Sequence, residues 1–142
     1  TLHRYCGTRE NLHNQITQQA FDNITRLLEN PKLLAGEPLS VLRQLINDHL
    51  QQREFLLFLI FHYRPDSHLN DPNCQHFNAL LDAYFLRSQQ AGVFRIDIAA
   101  PLLSELFIAM ICSMVDAERR GRAAPHDTAR VLEQFFLQGA SR

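Results

Sequence analysis

The chain has 142 residues, of which 46% are hydrophobic and 20% are charged, and its formal net charge is -1. This composition excludes a disordered or fibrous protein and is that of one ordinary globular domain. It also excludes binding to nucleic acid through overall charge, so any DNA contact has to be local. The three cysteines form no C-x-x-C pair, which is typical of a reduced cytoplasmic protein.

Apolar residues recur at helical spacing along most of the chain, so we predict an all-α fold. The first helix is predicted over about 8–29, because apolar residues recur every four positions from Leu12 to Leu28. Residues 30–38 are predicted to form a loop. Pro38 suits the first position of a second helical region.

The next segment is the most apolar part of the chain. Residues 55–61 read FLLFLIF, and a helix that is apolar all round is expected to be buried on all sides. The run is about a third of the length that a membrane span needs. The polar stretch at 47–54 either bends this region or divides it into two helices, and the pattern leaves both open.

Three further helices are predicted in the second half of the chain. After a loop at 64–73, Asp71 and Pro72 provide an N-cap and a first turn, and Gly92 follows the end of that helix. The helix that begins near Pro101 is apolar on more than one face, so it needs two partners. The predicted bounds are about 72–91, 101–120 and 127–138, with a connector at 93–100.

No motif of an active site is present. The sequence contains no G-x-S-x-G, no Gly-rich phosphate loop and no H-E-x-x-H. We therefore predict that the protein is not an enzyme, with no catalytic residue and no cofactor.

Four potential metal ligands lie around the loop at 64–73. His62, His68, Cys74 and His76 offer nitrogen and sulfur atoms that suit zinc or copper. Their spacing is not that of any structural zinc site, so we assign no metal site. A small helical metalloprotein remains an alternative.

Aromatic and flexible apolar side chains lie on several helices that have to converge, with His62, Asn78 and Tyr84 as candidate polar anchors. Such a lining is typical of ligand cavities, but it is also typical of a plain core. The pattern alone leaves open a ligand-binding domain and a helical interaction or scaffold domain with a solid core.

The first twelve residues, TLHRYCGTRENL, resemble the end of the helix-turn-helix and the start of the fourth helix in the TetR family of bacterial transcriptional repressors. The family pattern there is close to T-L-Y-x-Y/H-F-x-S/T-K-x-x-L. His3, Cys6 and Arg9 replace its more frequent Tyr, Phe and Lys. Residues 88–111 look like the family's turn between its seventh and eighth helices, and residues 131–140 look like its usual ending.

The resemblance implies a ligand-responsive transcriptional regulator, and more specifically a repressor. Residues 1–7 would be the end of the helix-turn-helix domain, and residues 8–142 the effector-binding and dimerisation domain. The implied partners are a second copy of the chain, a small apolar or aromatic effector, and operator DNA once the preceding helices are present. A cytoplasmic protein without a membrane partner is expected. DNA-backbone contacts are expected from Thr1, His3, Tyr5 and Arg9.

The resemblance and the apolar pattern together predict an effector pocket among the helices and a dimer interface on the last two long helices. A ligand that tilts the helix at 8–29 would change the distance between the two recognition helices of the dimer. The expected pocket residues are Phe21, Ile24, Phe58, His62, Phe77, Leu81, Tyr84, Phe107 and Met110. The expected interface residues are Leu103, Ile108, Ile111, Val115, Leu132, Phe135 and Phe136.

Overall fold

The computed structural model describes residues 9–63 and 71–142, and most of them are helical. The predicted all-α fold is confirmed. Thr8, which follows Gly7 and suits the N-cap of the first predicted helix, lies outside the described residues. The described helices are α1 (Arg9–Leu28), α2 (Lys32–Ala35), α3 (Pro38–Gln51), α4 (Arg53–His62), α5 (Pro72–Gln90), α6 (Ala100–Arg119) and α7 (Pro125–Ala140).

The apolar region after Pro38 is divided into two helices at Gln52. At the start of α3, the carboxylate of Glu37 accepts hydrogen bonds from the backbone N–H groups of Leu39 at 3.1 Å and Ser40 at 2.8 Å. A side-chain cap of this kind satisfies N–H groups that have no partner within the helix. Of the two alternatives left open by the sequence, a bend or two separate helices, the structure has two separate helices that meet at Gln52.

The predicted loop at 30–38 contains the single helical turn α2, so the prediction is wrong for Lys32–Ala35. The turn is fastened to α5 by Arg87, whose Nη2 donates to the carbonyl oxygens of Leu33 at 3.0 Å and Gly36 at 2.9 Å. A distant arginine thus satisfies the carbonyl groups of this segment, and short-range sequence patterns contain no sign of such a contact.

Two helices end at glycines whose backbone lies in the left-handed region. The φ angles are 80° at Gly92 and 77° at Gly121. After Gly92, the N–H of Val93 donates to the carbonyl of Ser88 at 3.0 Å, which is the arrangement of a Schellman motif. The predicted end of α5 is confirmed.

The last helix is two residues longer at each end than the predicted 127–138, and it continues through Gly139. Its end is joined to the connector before α6, where Phe94 and Ser141 form an isolated antiparallel bridge. The N–H of Arg95 donates to the carbonyl of Ala140 at 2.8 Å. This long-range pairing explains why a helical glycine does not end the helix.

Aromatic rings from α5, α6, α7 and the connector form the centre of the core. The ring centroid of Phe107 lies 5.7 Å from that of Phe85 and 5.4 Å from that of Phe136, and Phe94 lies 5.5 Å from Phe85. All four side chains are between 0% and 4% exposed. Because buried aromatic rings contribute large apolar areas and directional contacts, they fix these helices against one another.

The prediction that 55–61 is buried on all sides is wrong. Leu56 is 5% exposed, but Ile60 is 38% and Phe61 is 55% exposed. Helix α4 packs against α1 and α6 and leaves its other side open. The guanidinium of Arg119 lies 4.8 Å from the ring centroid of Phe61, which is a cation–π distance. A charged neighbour thus covers part of an apolar face that the sequence predicted to be interior.

Helix α6 is, by length and composition alone, the one helix in the described part that is apolar enough to cross a membrane. Its composition fits its central position among the helices, since it packs against α3, α4, α5 and α7. Leu103, Phe107, Ile111 and Val115 on its inward side are each 1% exposed.

Candidate functional site

The residues predicted for the pocket lie on α1, α4, α5 and α6, but they do not enclose one chamber. Ile24, Leu81, Tyr84 and Phe107 are core residues that are between 0% and 3% exposed. Phe21 is buried as well, Phe58, Phe77 and Met110 are half-buried, and His62 is exposed.

Part of this set forms a separate aromatic group between α1 and the end of α4. The ring of His62 lies 4.7 Å from Phe58 and 5.7 Å from His13, measured between centroids. The ring of Phe21 packs on Tyr63 at 4.9 Å. These residues therefore connect α1 to α4 and do not face the centre of the core.

Clefts in the described part of the chain lie elsewhere. Cavities of about 230 and 250 Å³ flank α2, and one of about 210 Å³ lies beside Asp22 and His76. All three are open to the surface. An internal gap beside Phe107 and Met110 is too small for a water molecule. The core is close-packed here, so an internal ligand would require side chains to move.

A residue that the sequence analysis did not select lies among the predicted pocket residues. His49 on α3 is 0% exposed, and its ring centroid lies 6.3 Å from that of Phe77 and 6.1 Å from that of Phe107. Nδ1 of His49 is 2.7 Å from the carbonyl oxygen of Leu45, so Nδ1 carries the proton and donates it. Nε2 has no hydrogen-bond partner in the described part of the chain.

Burial lowers the pKa of His49, and the Leu45 carbonyl and the Asp48 carboxylate oppose this effect without reversing it. The imidazole is therefore neutral at neutral pH, with Nε2 as a bare acceptor. An unpaired buried acceptor costs about 1–3 kcal/mol. A single water among aromatic rings would find few further partners. The sequence carries one signal for this residue, a histidine one helical turn after Leu45 on the inward face of α3.

Tyr84, expected to be a polar anchor of the pocket, uses its hydroxyl within the chain. The hydroxyl donates to the carbonyl oxygen of Pro38 at 2.7 Å, and burial raises its pKa. It therefore fastens the start of α3 to α5. Asn78 and His62, the other expected anchors, are exposed. The buried imidazole of His49, by contrast, contacts the rings of Phe77 and Phe107.

Five of the seven residues predicted for the dimer interface are buried inside the chain, so they do not belong to its outer surface. They were selected by helical spacing, which identified the inward stripes of α6 and α7. Each is between 1% and 4% exposed: Leu103, Ile111, Val115, Leu132 and Phe136.

Other apolar residues face outward on the same two helices. Phe135 on α7 is 65% exposed, and Leu102 and Leu106 on α6 are 52% and 44% exposed. Ile108 is half-buried. The apolar surface that these helices offer to a partner is therefore formed by Leu102, Leu106 and Phe135. We call these three the outward apolar residues. Of them, Phe135 had been predicted to lie in the dimer interface.

The candidate metal ligands make other contacts. Nε2 of His76 lies 3.3 Å from a carboxylate oxygen of Glu29. The thiol of Cys74 donates to the hydroxyl of Tyr63 at 3.6 Å, and burial raises its pKa. His68 lies outside the described residues. Within 9–63 and 71–142, no three metal-ligating side chains come together.

The two halves of α1 differ in packing. Arg9, the first residue of the helix, is exposed, and no residue of α1 before Ala20 is buried. The first half is held to α5 by the amides of Gln18 and Asn73, which exchange hydrogen bonds of 3.3 and 3.1 Å. The other residues expected to contact DNA, Thr1, His3 and Tyr5, lie outside the described residues.

Comparison with known proteins places the chain beside regulators of transcription. It is 49% identical over 144 aligned residues to the HTH-type transcriptional regulator NfxB of Pseudomonas aeruginosa, covering 99% of this chain and 77% of NfxB. No family model matches the chain.

Two solved structures share the fold. The TetR-family transcriptional regulator PfmR from Thermus thermophilus has a TM-score of 0.75 at 21% identity, covering 99% of this chain and 81% of PfmR. A protein of unknown function from a Rhodococcus species also has a TM-score of 0.75, at 14% identity. The match covers 94% of this chain and 75% of the Rhodococcus protein.

Proposed function

The chain belongs to the family of helix-turn-helix transcriptional regulators that includes NfxB and has the fold of TetR-family regulators, and we propose that it is the part that binds an effector and dimerises. In this proposal residues 8–142 form the effector-binding and dimerisation domain, and residues 1–7 correspond to the end of the helix-turn-helix. The protein acts in the cytoplasm as a repressor that an effector releases from its operator. NfxB and PfmR are transcriptional regulators, and no catalytic role is proposed.

The packing of α1 is the observation that carries the ligand-responsive function. All of its buried residues lie between Ala20 and Leu28, so its second half is packed into the core. Its first half is held by less buried contacts, among them that of His13 with Phe58 and His62 of α4. A rearrangement of the core is therefore transmitted to the exposed end at Arg9. A ligand that binds one arrangement better than the other shifts the population between them.

Dimerisation through α6 and α7 is proposed because both helices have two apolar sides. The inward sides pack in the core, and the outward apolar residues are left at the surface. Large apolar side chains grouped on adjacent helices are typical of protein interfaces. In a two-fold dimer the same residues of both copies meet, so each outward residue contributes twice.

Contacts with operator DNA are proposed for the protein when it carries the helices that precede the recognition helix in this family. The two recognition helices of a dimer have to match half-sites about one helical turn apart or a multiple of it. Thr1, His3, Tyr5 and Arg9 would contact phosphate oxygens, for which hydroxyl and guanidinium groups are suited. Substituting Arg9 should weaken binding similarly on all DNA sequences.

A thermal-shift screen with small aromatic and apolar compounds tests the ligand-binding part of the proposal. A compound present at a hundred times its dissociation constant stabilises the folded protein by about 2.7 kcal/mol, which corresponds to roughly 8 °C for a chain of this size. At least one compound should raise the melting temperature by several degrees. A flat response across the whole panel would contradict ligand binding.

One observation favours a second candidate, a helical interaction or scaffold domain without a ligand cavity. The gap beside Phe107 and Met110 is too small for a water molecule, as in a solid core. The same screen separates the two candidates, because a scaffold with a solid core gains no stability from small molecules while still forming a complex through its surface.

A further inference from the structure

We propose that His49 is the polar recognition residue of the effector site, and that its Nε2 accepts a hydrogen bond from an N–H or O–H group of a neutral aromatic effector. This inference rests on the proposed function and specifies the chemistry of the ligand. The effector would be a phenol, an aromatic amine or a related compound that combines an apolar ring with one donor.

The geometry of His49 assigns the direction of this hydrogen bond. Nδ1 is occupied by the carbonyl of Leu45 at 2.7 Å, which fixes both the tautomer and the orientation of the ring. Nε2 is consequently an acceptor without a proton of its own. It has no partner in the described part of the chain, although buried polar atoms are nearly always paired. The missing partner therefore has to be a donor.

The surroundings of His49 define the rest of the ligand. The rings of Phe77 on α5 and Phe107 on α6 approach the imidazole edge-on, with interplanar angles of 82° and 87°. A ligand placed between α3, α5 and α6 would contact these aromatic faces as well as Nε2. An apolar aromatic body with one polar group matches such a site.

The charge of the buried groups favours a neutral ligand. The polar residues that are buried as a whole are Thr25, His49, Ser88, Gln89, Ser104 and Thr128. The largely covered carboxylate of Glu118 is already paired with Arg53 and with the hydroxyl of Thr128. The carboxylate next to His49 in sequence is Asp48, which accepts a hydrogen bond from Gln44 at 2.7 Å on the outer side of α3. A buried cation would thus lack a counter-charge, and an unpaired buried charge is strongly unfavourable.

A second buried polar atom without a hydrogen-bond partner lies on α6. Ser104 on α6 is 3% exposed, and its Oγ has no hydrogen-bond partner in the described part of the chain. It lies nearly one helical turn before Phe107 on the inward side of the helix. A hydroxyl can donate or accept, so Ser104 offers a secondary contact to a ligand that reaches α6.

Entry of a ligand requires local movement of the core. The internal gap beside Phe107 is also lined by Ile46 and Met110, and Ile46 precedes His49 by three residues on α3. The unbranched Met110 side chain changes conformation at low cost. We assign the opening of the site to this gap, since its lining residues come from α3, α6 and α7 and include the flexible Met110.

Phenol and toluene provide a matched pair of probes, because they have nearly the same shape and differ in one hydroxyl group. The 15N signals of the imidazole rings in the labelled chain report hydrogen bonding at Nε2 directly. Phenol should move the His49 Nε2 signal upfield, and toluene should leave it in place. Phenol should also bind the unsubstituted protein at least tenfold more tightly than toluene.

Two variants separate hydrogen bonding from packing. His49→Leu removes the acceptor and should bind phenol and toluene within a factor of three of each other. His49→Gln keeps an acceptor oxygen and should retain part of the preference for phenol. The 15N measurement on the unsubstituted chain needs no variant, so it decides the question even if either substitution prevents folding.

Equal affinity for phenol and toluene, no binding of phenol, or bound phenol with an unchanged His49 Nε2 signal would each overturn the assignment. These results differ from a failure of the proposed function. Compounds that raise the melting temperature without affecting the Nε2 signal would support ligand binding but would exclude His49 as the recognition residue. A change in the Nε2 signal without any effect on operator binding would support His49 as a ligand contact but would contradict the regulatory function.

Discussion

Replacing Phe135 by glutamate should dissociate the proposed dimer without unfolding the chain. Phe135 is 65% exposed in the single chain, which corresponds to about 130 Å² of side-chain surface for a residue that buries up to about 200 Å². At about 25 cal/mol per Å², covering this area with a partner contributes about 3 kcal/mol in each protomer. Losing even one such contribution weakens dimerisation more than a hundredfold.

Analytical ultracentrifugation at several protein concentrations measures this change. Leu34→Glu is the matched control, since Leu34 is 57% exposed but lies on α2, away from α6 and α7. Its dissociation constant should equal that of the unsubstituted chain. Circular dichroism should show folded helices in both variants, because substitutions at exposed positions seldom change stability by more than about 0.5 kcal/mol. A Phe135→Glu protein with the unchanged dissociation constant would refute the proposed interface.

Three further predictions concern stability, measured by urea unfolding. Lowering the pH from about 7.5 to about 5.5 should reduce the free energy of unfolding, because burial lowers the pKa of His49. Below about pH 6.5 the unfolded chain takes up a proton that the folded chain excludes, so the free energy of unfolding falls by up to about 1.4 kcal/mol per pH unit. If the free energy of unfolding of His49→Leu depended on pH with the same slope, this explanation would be wrong. Gly139→Ala should stabilise the folded chain by about 0.5–1 kcal/mol, since the position is helical and open. Gly121→Ala should destabilise it by about 1 kcal/mol, because φ at Gly121 is 77°. Changes of the same sign in both variants would contradict these backbone conformations. Glu118→Ala should cost about 1–3 kcal/mol, because its carboxylate is 6% exposed and accepts hydrogen bonds from an arginine of α4 and a threonine of α7. Glu133→Ala, whose ion pair is more exposed, should cost under about 1 kcal/mol, and an equal cost for both glutamates would argue against burial as the cause.

The helices could be predicted because their ends depend on local chemistry. Pro38, Asp71 and Gly92 mark boundaries by fixed φ, by side-chain capping and by left-handed backbone, and these features act within a few residues. The turn α2 could not be predicted, because Arg87 supplies its hydrogen bonds from α5. The extension of the last helix past Gly139 likewise depends on pairing with Arg95.

Burial was harder to predict than helicity. The apolar composition of 55–61 indicates a helix but not which of its sides are covered, and Phe61 remains exposed beside Arg119. The spacing on α6 identified the inward stripe, including Leu103 and Ile111, more readily than the outward residues. Which side faces the core depends on how the helices pack, and sequence spacing alone does not determine it.

The candidate site was only partly visible in the sequence. Phe77 and Phe107 were selected as aromatic residues, and they do meet around one position. His49 was not predicted, because a single histidine on the inward face of a helix has no distinguishing sequence pattern. Its proposed role depends on the tautomer and on the unpartnered Nε2, which follow from three-dimensional packing and not from local spacing.

The coupling between effector and operator tests the central claim most directly. The measurement is the affinity of a compound found in the thermal-shift screen, determined with and without a selected operator duplex, for the protein carrying its helix-turn-helix helices. Because coupling between two sites is reciprocal, a compound that releases the operator has to bind the operator complex more weakly by the same factor. We predict at least a tenfold difference. Equal affinities in the presence and absence of operator DNA would contradict a ligand-responsive repressor.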